Sequence, residues 1–183
     1  MAVDQSLPDR LKPGFVVWCI GLPASGKTTM AREMQHQLAA RGVRTVLLDS
    51  DELRNVLTPK PTYTEDERDW FYGVIAYLAA WLACAGINIL IAATAHRRAY
   101  RQAARAQVER FAEVYVQCSL AECRRRDPKG IYARAQAGQA EHVPGLGSPF
   151  EPPLAPEATV DTEHLTPAEA ANTVLAQLVN FFV

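Results

Sequence analysis

Residues 21–29, GLPASGKTT, combine the residue types and the spacing of a phosphate-binding loop. Gly21, Gly26, Lys27 and Thr28 fit the pattern G-x-x-x-x-G-K-[ST]. The glycines let backbone N–H groups converge on phosphate oxygens, and the helix that begins here directs its positive end at the same anion. We expect Lys27 to reach the outer phosphates and the Thr28 hydroxyl to ligate Mg²⁺. A glycine-rich turn without a ligand is the alternative, but the apolar run before the loop and the helical pattern after it favour the phosphate site.

Two aspartates follow the second apolar run of the chain, in the stretch LLDSDELR. Asp49 and Asp51 flank one small residue at the carboxyl end of this predicted strand, which is the edge where ligands bind in parallel sheets. Transfer of a phosphoryl group needs one carboxylate near Mg²⁺ and one near the attacking hydroxyl. Asp51 is the candidate for the attacking hydroxyl, and Asp49 is the candidate either for a water-mediated contact to the metal or for positioning. A helix cap is an alternative role for Asp51, and the two roles are compatible.

Basic residues cluster in three places, namely Arg54 with Arg68, HRRAYR at 96–101 and RRRDPKG at 124–130. Arginine holds phosphate and sulfate oxygens through two parallel hydrogen bonds. A solvated helix face is the alternative explanation, so we expect only one or two residues of each cluster to contact a ligand. The four histidines lack the spacing of zinc ligands, and no zinc site is predicted.

The elements that must position these residues alternate between strands and helices. Strands are predicted by short runs rich in Val, Ile and Leu at 15–20, 45–49, 87–93 and 111–118, and by a weaker run at 158–162. The runs are apolar on both faces, which is typical of a parallel sheet covered on both sides. We therefore predict an α/β, doubly wound domain with a five-stranded parallel sheet and helices on both faces, and a single domain over residues 1–183.

Helix ends are also visible in the sequence. Apolar residues at every fourth position over 30–38 predict a helix that ends at Gly42. The stretch TEDE predicts a capping box, with Thr64 as the cap and Glu67 reaching back to it. TPAE at 166–169 repeats this pattern, with proline at the first helical position.

Two longer segments need separate interpretation. Residues 73–95 contain no charge over a length that could span a bilayer, but Gly86 and Asn88 interrupt them. A buried helix ending near Gly86, followed by a central strand, explains the segment better, and no membrane partner is expected.

Residues 139–157 are rich in proline and glycine and long for a connection, which favours a mobile lid; a disordered surface loop is the alternative.

Composition restricts the class of partner. The 183 residues have a formal net charge of −1, which gives no indication of nucleic-acid binding. The four cysteines show no C-x-x-C spacing, and most fall in predicted strands or helices, where a reduced thiol is typical. These features predict a protein of the reducing cytoplasm.

Taken in order, the motifs resemble those of adenylyl-sulfate kinases from about residue 14 to residue 162. The resemblance includes GLPASGKTT, LLDSDELR, FAEVYVQCSLAECRRRDPKGIY and GLGSPFEPPLAPE followed by VDT. The phosphate loop alone is generic, whereas RDPKGIYARA with SPFEPP downstream is specific to this family. The resemblance implies a P-loop kinase fold, ATP with Mg²⁺, a homodimer, and phosphoryl transfer to the ribose 3′-hydroxyl of adenosine 5′-phosphosulfate.

The resemblance also implies roles for individual positions. ATP would be bound by Gly21, Leu22, Pro23, Ala24, Ser25, Gly26, Lys27, Thr28, Thr29 and, near the adenine, Arg126. Lys27, Asp49 and Asp51 would be the catalytic group, with Asp51 as the base. Thr28, and Asp49 through water, would hold Mg²⁺. The acceptor would be bound by Asp51, Arg54, Tyr63, Arg68, Phe71 and Arg98.

Departures from the family pattern concentrate on the acceptor side. The family pattern F-S-x-x-D-R-x-E-N-I-R-R becomes YTEDERDWFYGV, so that Phe71 replaces an asparagine and Gly73 an arginine. I-S-P-Y-R becomes TAHRR, and K-x-F-T-G in the lid becomes EHVPG, with Glu141 for lysine and Val143 for a phenylalanine that stacks on the acceptor base. Another acceptor is therefore the alternative, either a nucleotide such as a cytidine diphosphate derivative or a small hydroxylated metabolite. A nucleotide-binding module without transferase activity is the second alternative.

Overall fold

A computed structural model describes residues 12–182, and its centre is a five-stranded parallel sheet. The strands, in chain order, are β1 (Val16–Ile20), β2 (Thr45–Asp49), β3 (Asn88–Ala92), β4 (Phe111–Gln117) and β5 (Ala158–Asp161). Their order across the sheet is β2-β3-β1-β4-β5, and every neighbouring pair is parallel. The prediction of a doubly wound α/β fold with these five strands is confirmed.

Seven α-helices connect or follow the strands. They are α1 (Lys27–Ala40), α2 (Ser50–Leu57), α3 (Glu65–Cys84), α4 (Arg98–Arg105), α5 (Leu120–Arg126), α6 (Ile131–Gln136) and α7 (Pro167–Gln177) within residues 12–182. A short 3₁₀ turn, Val179–Phe181, follows the last helix.

The two faces of the sheet are covered by different helices. Met30 and Met34 of α1 pack with Val174 of α7 against one face. Phe71 and Ile75 of α3 pack against the other face. Strand β1 lies at the centre of the sheet, and all five of its residues are buried, which explains why it is apolar throughout rather than alternating.

The two capping boxes predicted from the sequence have different outcomes. Thr166 forms the complete capping box with Glu169 that the sequence predicts. Thr64 accepts a hydrogen bond from the Glu67 backbone N–H, but the Glu67 carboxylate does not return to Thr64. It accepts instead from the backbone and hydroxyl of Thr62 and pairs with Arg54. The predicted reciprocal box at residue 64 is therefore wrong, because a charged partner on α2 competes for the carboxylate.

The charge-free stretch 73–95 folds as the later part of α3 and as β3. Gly86 has a φ of 81°, which ends the helix in the left-handed region. Within residues 12–182, no helix is long and apolar enough to cross a membrane.

Candidate active site

The phosphate-binding loop connects the carboxyl end of β1 to the first residue of α1. A side chain at Gly21 would collide with the Val116 carbonyl oxygen of the neighbouring strand, and Gly26 has a φ of 90°, so both positions require glycine. The Ser25 hydroxyl is buried and has no hydrogen-bond partner among the described residues. An unpartnered buried polar atom in this loop is consistent with a loop built for a polar ligand.

Lys27 is the first residue of α1 and is 8% exposed. Its Nζ donates to the carbonyl oxygens of Gly21, at 3.1 Å, and Leu22, at 2.7 Å, so the ammonium is bound by its own loop. Burial lowers the pKa of Lys27 to about 8, and the carboxylate of Asp51 opposes this effect.

Asp49 joins the phosphate-binding loop to α2. Its Oδ2 accepts a hydrogen bond of 2.6 Å from the Thr28 hydroxyl, and its Oδ1 accepts from the backbone N–H groups of Asp51 and Glu52. Asp49 is therefore the N-cap of α2, whereas the sequence suggested Asp51 for this role. The side chain of Asp51 is consequently not used by the helix end.

The Asp51 carboxylate forms an ion pair with Lys129, and both side chains are about half exposed. Lys129 lies in the turn between α5 and α6, 78 residues further along the chain. The sequence placed it within a basic cluster but did not indicate its partner.

One cavity of about 1030 Å³ joins the phosphate-binding loop to the acceptor side of the site. Most of the residues assigned from the sequence line it: Pro23, Ala24, Gly26, Lys27, Thr28, Thr29, Asp49, Asp51, Arg54, Tyr63, Arg68 and Arg126. Residues 139–144, the first part of the predicted lid, line it as well.

Arg54 is held within a cluster on the acceptor side. It is 8% exposed and forms a 2.9 Å ion pair with Glu67. Its guanidinium lies 3.9 Å from the centre of the Phe71 ring and 4.8 Å from that of Tyr63. Phe71 is fully buried and does not line the cavity, because its ring packs in the core beneath Arg54.

Arg68 is a second buried guanidinium, 4% exposed, and it binds three neutral acceptors. It donates to the carbonyl oxygens of Tyr63 and His142, and one of its amino groups lies 3.3 Å from Nδ1 of His96. Burial, and after it the charge of Arg68, lower the pKa of His96 to about 4. His96 is therefore neutral at pH 7 and accepts this hydrogen bond, a role that sequence reasoning did not identify.

The arginines of the 96–101 cluster do not line the cavity. The Arg98 backbone N–H donates to Glu151, and its guanidinium donates to the Pro152 carbonyl oxygen. Arg101 is 2% exposed and pairs with Glu113. The structure thus places Arg98 against the end of the predicted lid rather than with Arg54 and Arg68.

Arg126, the last residue of α5, approaches the phosphate-binding loop from the other side. It pairs with Glu122 at 2.7 Å and donates to the Thr162 carbonyl oxygen at 2.6 Å. A Cβ on Gly26 would lie 3.9 Å from its guanidinium, so Arg126 is next to the loop.

The segment 139–157 has two differently held parts. Val143 is buried with Cys123 and Tyr132, whereas Glu141 is exposed at the rim of the cavity. From residue 150 onwards the chain is attached to the body of the protein. The Glu151 backbone N–H donates to the His96 carbonyl oxygen at 2.8 Å, and its carbonyl accepts from Arg101.

Comparisons with known proteins agree with this geometry. The family model described as adenylylsulphate kinase matches residues 13–161. The probable adenylyl-sulfate kinase of Archaeoglobus fulgidus is 38% identical over 149 residues, which are 81% of this chain and 96% of that protein. The probable bifunctional SAT/APS kinase 2 of Sorangium cellulosum is 37% identical over 165 residues, and there this chain spans 28% of the relative's length.

Solved structures show the same relationship. The structure of Mycobacterium tuberculosis APS kinase in complex with AMPPNP and APS aligns with a TM-score of 0.84 at 31% identity, covering 91% of this chain and 98% of that one. The hexameric APS kinase of Thiobacillus denitrificans aligns with a TM-score of 0.68 at 26% identity, covering 97% of this chain and 31% of that one. Together with the matched motifs, these findings establish that the chain belongs to the adenylylsulphate kinase family of P-loop kinases.

Proposed function

We propose that the protein transfers the γ-phosphoryl group of ATP to the 3′-hydroxyl of adenosine 5′-phosphosulfate, giving 3′-phosphoadenylyl sulfate and ADP. The observation that supports this most directly is the continuity of the cavity. It connects a phosphate-binding loop, a carboxylate and two buried arginines within one space of about 1030 Å³. A kinase for a nucleotide acceptor needs these three features within reach of one another.

ATP is proposed to bind with its phosphates in the loop 21–29 and its adenine towards Arg126. The ammonium of Lys27 would exchange its two carbonyl partners for phosphate oxygens. This exchange is favourable because a charged acceptor forms a stronger hydrogen bond than a neutral carbonyl.

Mg²⁺ is the cation that the residues of this site fit. Asp49 is 3% exposed, and its carboxylate bonds to a hydroxyl and two backbone N–H groups without a cationic partner among the described residues. Thr28 and Asp49 provide the oxygen ligands that Mg²⁺ prefers. When bound, the ion would neutralise charge on the transferring phosphate.

Asp51 is proposed to accept the proton of the 3′-hydroxyl as its oxygen attacks the γ-phosphorus. The new P–O bond forms while the bond between the γ-phosphorus and the β,γ-bridging oxygen breaks, so that ADP leaves. Arg54 and Arg68 would hold the anionic phosphosulfate, since their positive charges are buried beside the cavity. Residues 139–144 are proposed to close over the site and to exclude water, which limits ATP hydrolysis.

A kinase for a different acceptor is the second candidate, and specific observations favour considering it. Phe71 is buried beneath Arg54 and Val143 is aliphatic, so neither offers an aromatic surface to an acceptor base. Glu141 brings a negative charge to the rim. Each feature reduces the expected affinity for an anionic purine nucleotide.

A turnover screen distinguishes the candidates. Adenosine 5′-phosphosulfate is compared at matched concentrations with cytidine diphosphate derivatives and small alcohols, in the presence of ATP and Mg²⁺. Saturable conversion of adenosine 5′-phosphosulfate supports the proposal, and rapid turnover of another compound alone contradicts it. Lys27→Ala is the control. If the Lys27→Ala variant turns over at the wild-type rate, the assigned phosphate site is wrong. If the wild-type protein binds ATP but transfers no phosphate to any acceptor, a nucleotide-binding module is favoured.

Two further properties belong to this proposal. A cytoplasmic location is supported by Cys19 and Cys123, whose thiols are free and buried. A homodimer is what the sequence resemblance implies, and the Thiobacillus denitrificans structure is that of a hexameric relative.

A further inference from the structure

The turn after β3, residues 94–96, has an unusual backbone on the acceptor side of the cavity. Ala95 has a φ of 39°, which lies in the left-handed region that residues other than glycine rarely adopt. Ala95 is fully buried, and Thr94 before it lines the cavity. A residue with a side chain keeps such a conformation only when the surrounding structure holds it there. The contacts of Ala95 therefore identify the groups that fix this part of the cavity wall.

Two side chains hold the backbone of Ala95. Its N–H donates a hydrogen bond of 3.0 Å to the hydroxyl of Tyr72, on α3. Its carbonyl oxygen accepts from the guanidinium of Arg101, on α4. The same guanidinium pairs with Glu113 of β4 and donates at 2.9 Å to the carbonyl oxygen of Glu151. Arg101 thus uses a different nitrogen for each of three partners, in a planar fork that lysine lacks.

His96, the last residue of the turn, connects these contacts to the cavity. Its Nδ1 lies 3.3 Å from an amino group of Arg68, and Arg68 lines the side of the cavity that we assign to the acceptor. The His96 carbonyl oxygen accepts from the Glu151 backbone N–H at 2.8 Å. Arg101 therefore binds both the residue that precedes His96 and the residue that bonds to its carbonyl oxygen.

We propose that Arg101 is a positioning residue for the acceptor, although it does not itself line the cavity. By holding Ala95 in the left-handed region, it fixes the place from which His96 orients the guanidinium of Arg68. The inference rests on the proposed function, which assigns the acceptor to this side of the cavity. An ion pair that only supports the core is the alternative, because Arg101 and Glu113 are buried together.

Two substitutions separate the ion pair from the hydrogen bonds to the turn. Arg101→Lys keeps a positive charge beside Glu113 but cannot reach the carbonyl oxygens of Ala95 and Glu151 together. Glu113→Gln removes the negative charge, still accepts from Arg101 and leaves both carbonyl contacts in place. We expect Arg101→Lys to raise KM for adenosine 5′-phosphosulfate about 10-fold, with affinity for an ATP analogue within about twofold of wild type. Glu113→Gln should leave this KM within about twofold as well. A KM that rises equally in both variants, or in neither, overturns the proposal.

Glycine at position 95 tests the route through the turn. It adopts the left-handed region without the steric penalty of alanine, so that the turn depends less on Arg101. The double variant Arg101→Lys with Ala95→Gly should therefore have a KM about threefold or more below that of Arg101→Lys alone. Ala93→Gly is the matched control and should give no such recovery, because Ala93 is buried in the same segment but its backbone is not left-handed. A double variant as impaired as Arg101→Lys overturns the route through Ala95.

Hydrogen exchange of the full chain tests the same contacts without the reaction. In Arg101→Lys, the backbone N–H groups of Ala95 and Glu151 should exchange about 10-fold faster, whereas those of the phosphate-binding loop should not change. Unchanged exchange at these two positions, or a uniform increase along the chain, overturns the proposal.

Two further provisions keep the test decisive. If Arg101→Lys does not fold, Arg101→Met with Glu113→Gln replaces it, because that pair leaves neither charge alone in the core. A wild type that does not convert adenosine 5′-phosphosulfate overturns the proposed function. The exchange measurement then still decides whether Arg101 holds the turn.

Discussion

The carboxylate of Asp51 and the ammonium of Lys129 meet at the opening of the cavity. Lys129 therefore neutralises the carboxylate to which we assign the acceptance of a proton. The exposed pair is weak enough to exchange partners when a substrate binds. Asp49, by contrast, is buried and caps the first turn of α2. Asp49 therefore has a structural role, whereas the chemical role is assigned to Asp51.

Asp51→Asn tests this separation. We expect phosphoryl transfer to fall about 100-fold or more, because an amide cannot accept the proton, while ATP binding stays within about twofold. Single-turnover kinetics and calorimetric titration with an ATP analogue measure the two effects. Equal losses of binding and of transfer would instead assign Asp51 to direct metal ligation or to the fold.

The pKa of Lys27, lowered to about 8 by burial, predicts a pH dependence of ATP binding. Phosphate groups favour the charged ammonium, so binding should raise this pKa and take up a proton near pH 8 to 9. Affinity for ATP should therefore decline as the pH rises above about 8. Calorimetry in two buffers of different ionisation enthalpy measures the proton uptake. Lys27→Arg, which stays charged, is the control, and equal proton uptake by that variant would contradict the assignment.

At the scale of elements, the contact between α2 and α3 positions Arg54. Phe71 presents its ring to the guanidinium at 3.9 Å, and Glu67 pairs with it from the same helix. Phe71→Leu should therefore raise KM for the acceptor about 5- to 10-fold and leave kcat nearly unchanged, since a cation–π contact of this kind contributes about 1 kcal/mol. Ile75→Val is the matched core control on α3. A loss of folding stability without a change in KM would place Phe71 in a purely structural role.

The two parts of segment 139–157 predict different proteolysis by an enzyme that cuts after glutamate. Glu141 is exposed at the cavity rim, whereas Glu151 is attached to His96 and Arg101 through its backbone. We expect cutting after Glu141 first, and we expect this cut to slow when an ATP analogue and the acceptor are added together. Cleavage at Glu141 that ligands do not change would make the segment a passive loop.

At the scale of the whole molecule, His96 connects several parts of the structure. Its ring accepts from Arg68 of α3 and packs against Tyr100 of α4, and its carbonyl accepts from Glu151. The pKa of His96 is about 4 in the folded protein and about 6.5 in an unfolded chain. The unfolded state therefore binds more protons between pH 6.5 and 4, and folding stability should fall as the pH decreases through this range.

His96→Gln measures this contribution because glutamine keeps an acceptor for Arg68 but does not titrate. Between pH 7 and pH 5, the wild type should lose about 2 kcal/mol more of its free energy of unfolding than the variant. Urea denaturation at the two pH values measures the difference. His36→Gln, which removes an exposed histidine from α1, is the control. Equal losses in wild type and His96→Gln would contradict the lowered pKa.

What the sequence determined by itself is mainly local. The glycine spacing at 21–29, the five apolar strands and the cap at Thr166 all depend on residues close together in the chain, and the structure has them where they were predicted. The sequence also predicted that Asp49 and Asp51 lie at the ligand-binding edge of the sheet, because parallel strands bring their carboxyl ends to one edge.

Only the tertiary structure decided which side chains face the cavity. Arg68 and Arg98 look equivalent in the sequence, yet one lines the cavity and the other binds residues 151 and 152. The ion pair of Asp51 with Lys129 joins segments that are distant in sequence. The burial of Phe71 beneath Arg54 is set by how α2 packs on α3. Such contacts depend on the rotation of each helix against the sheet, and that rotation is chosen by packing of the whole core rather than by any local pattern.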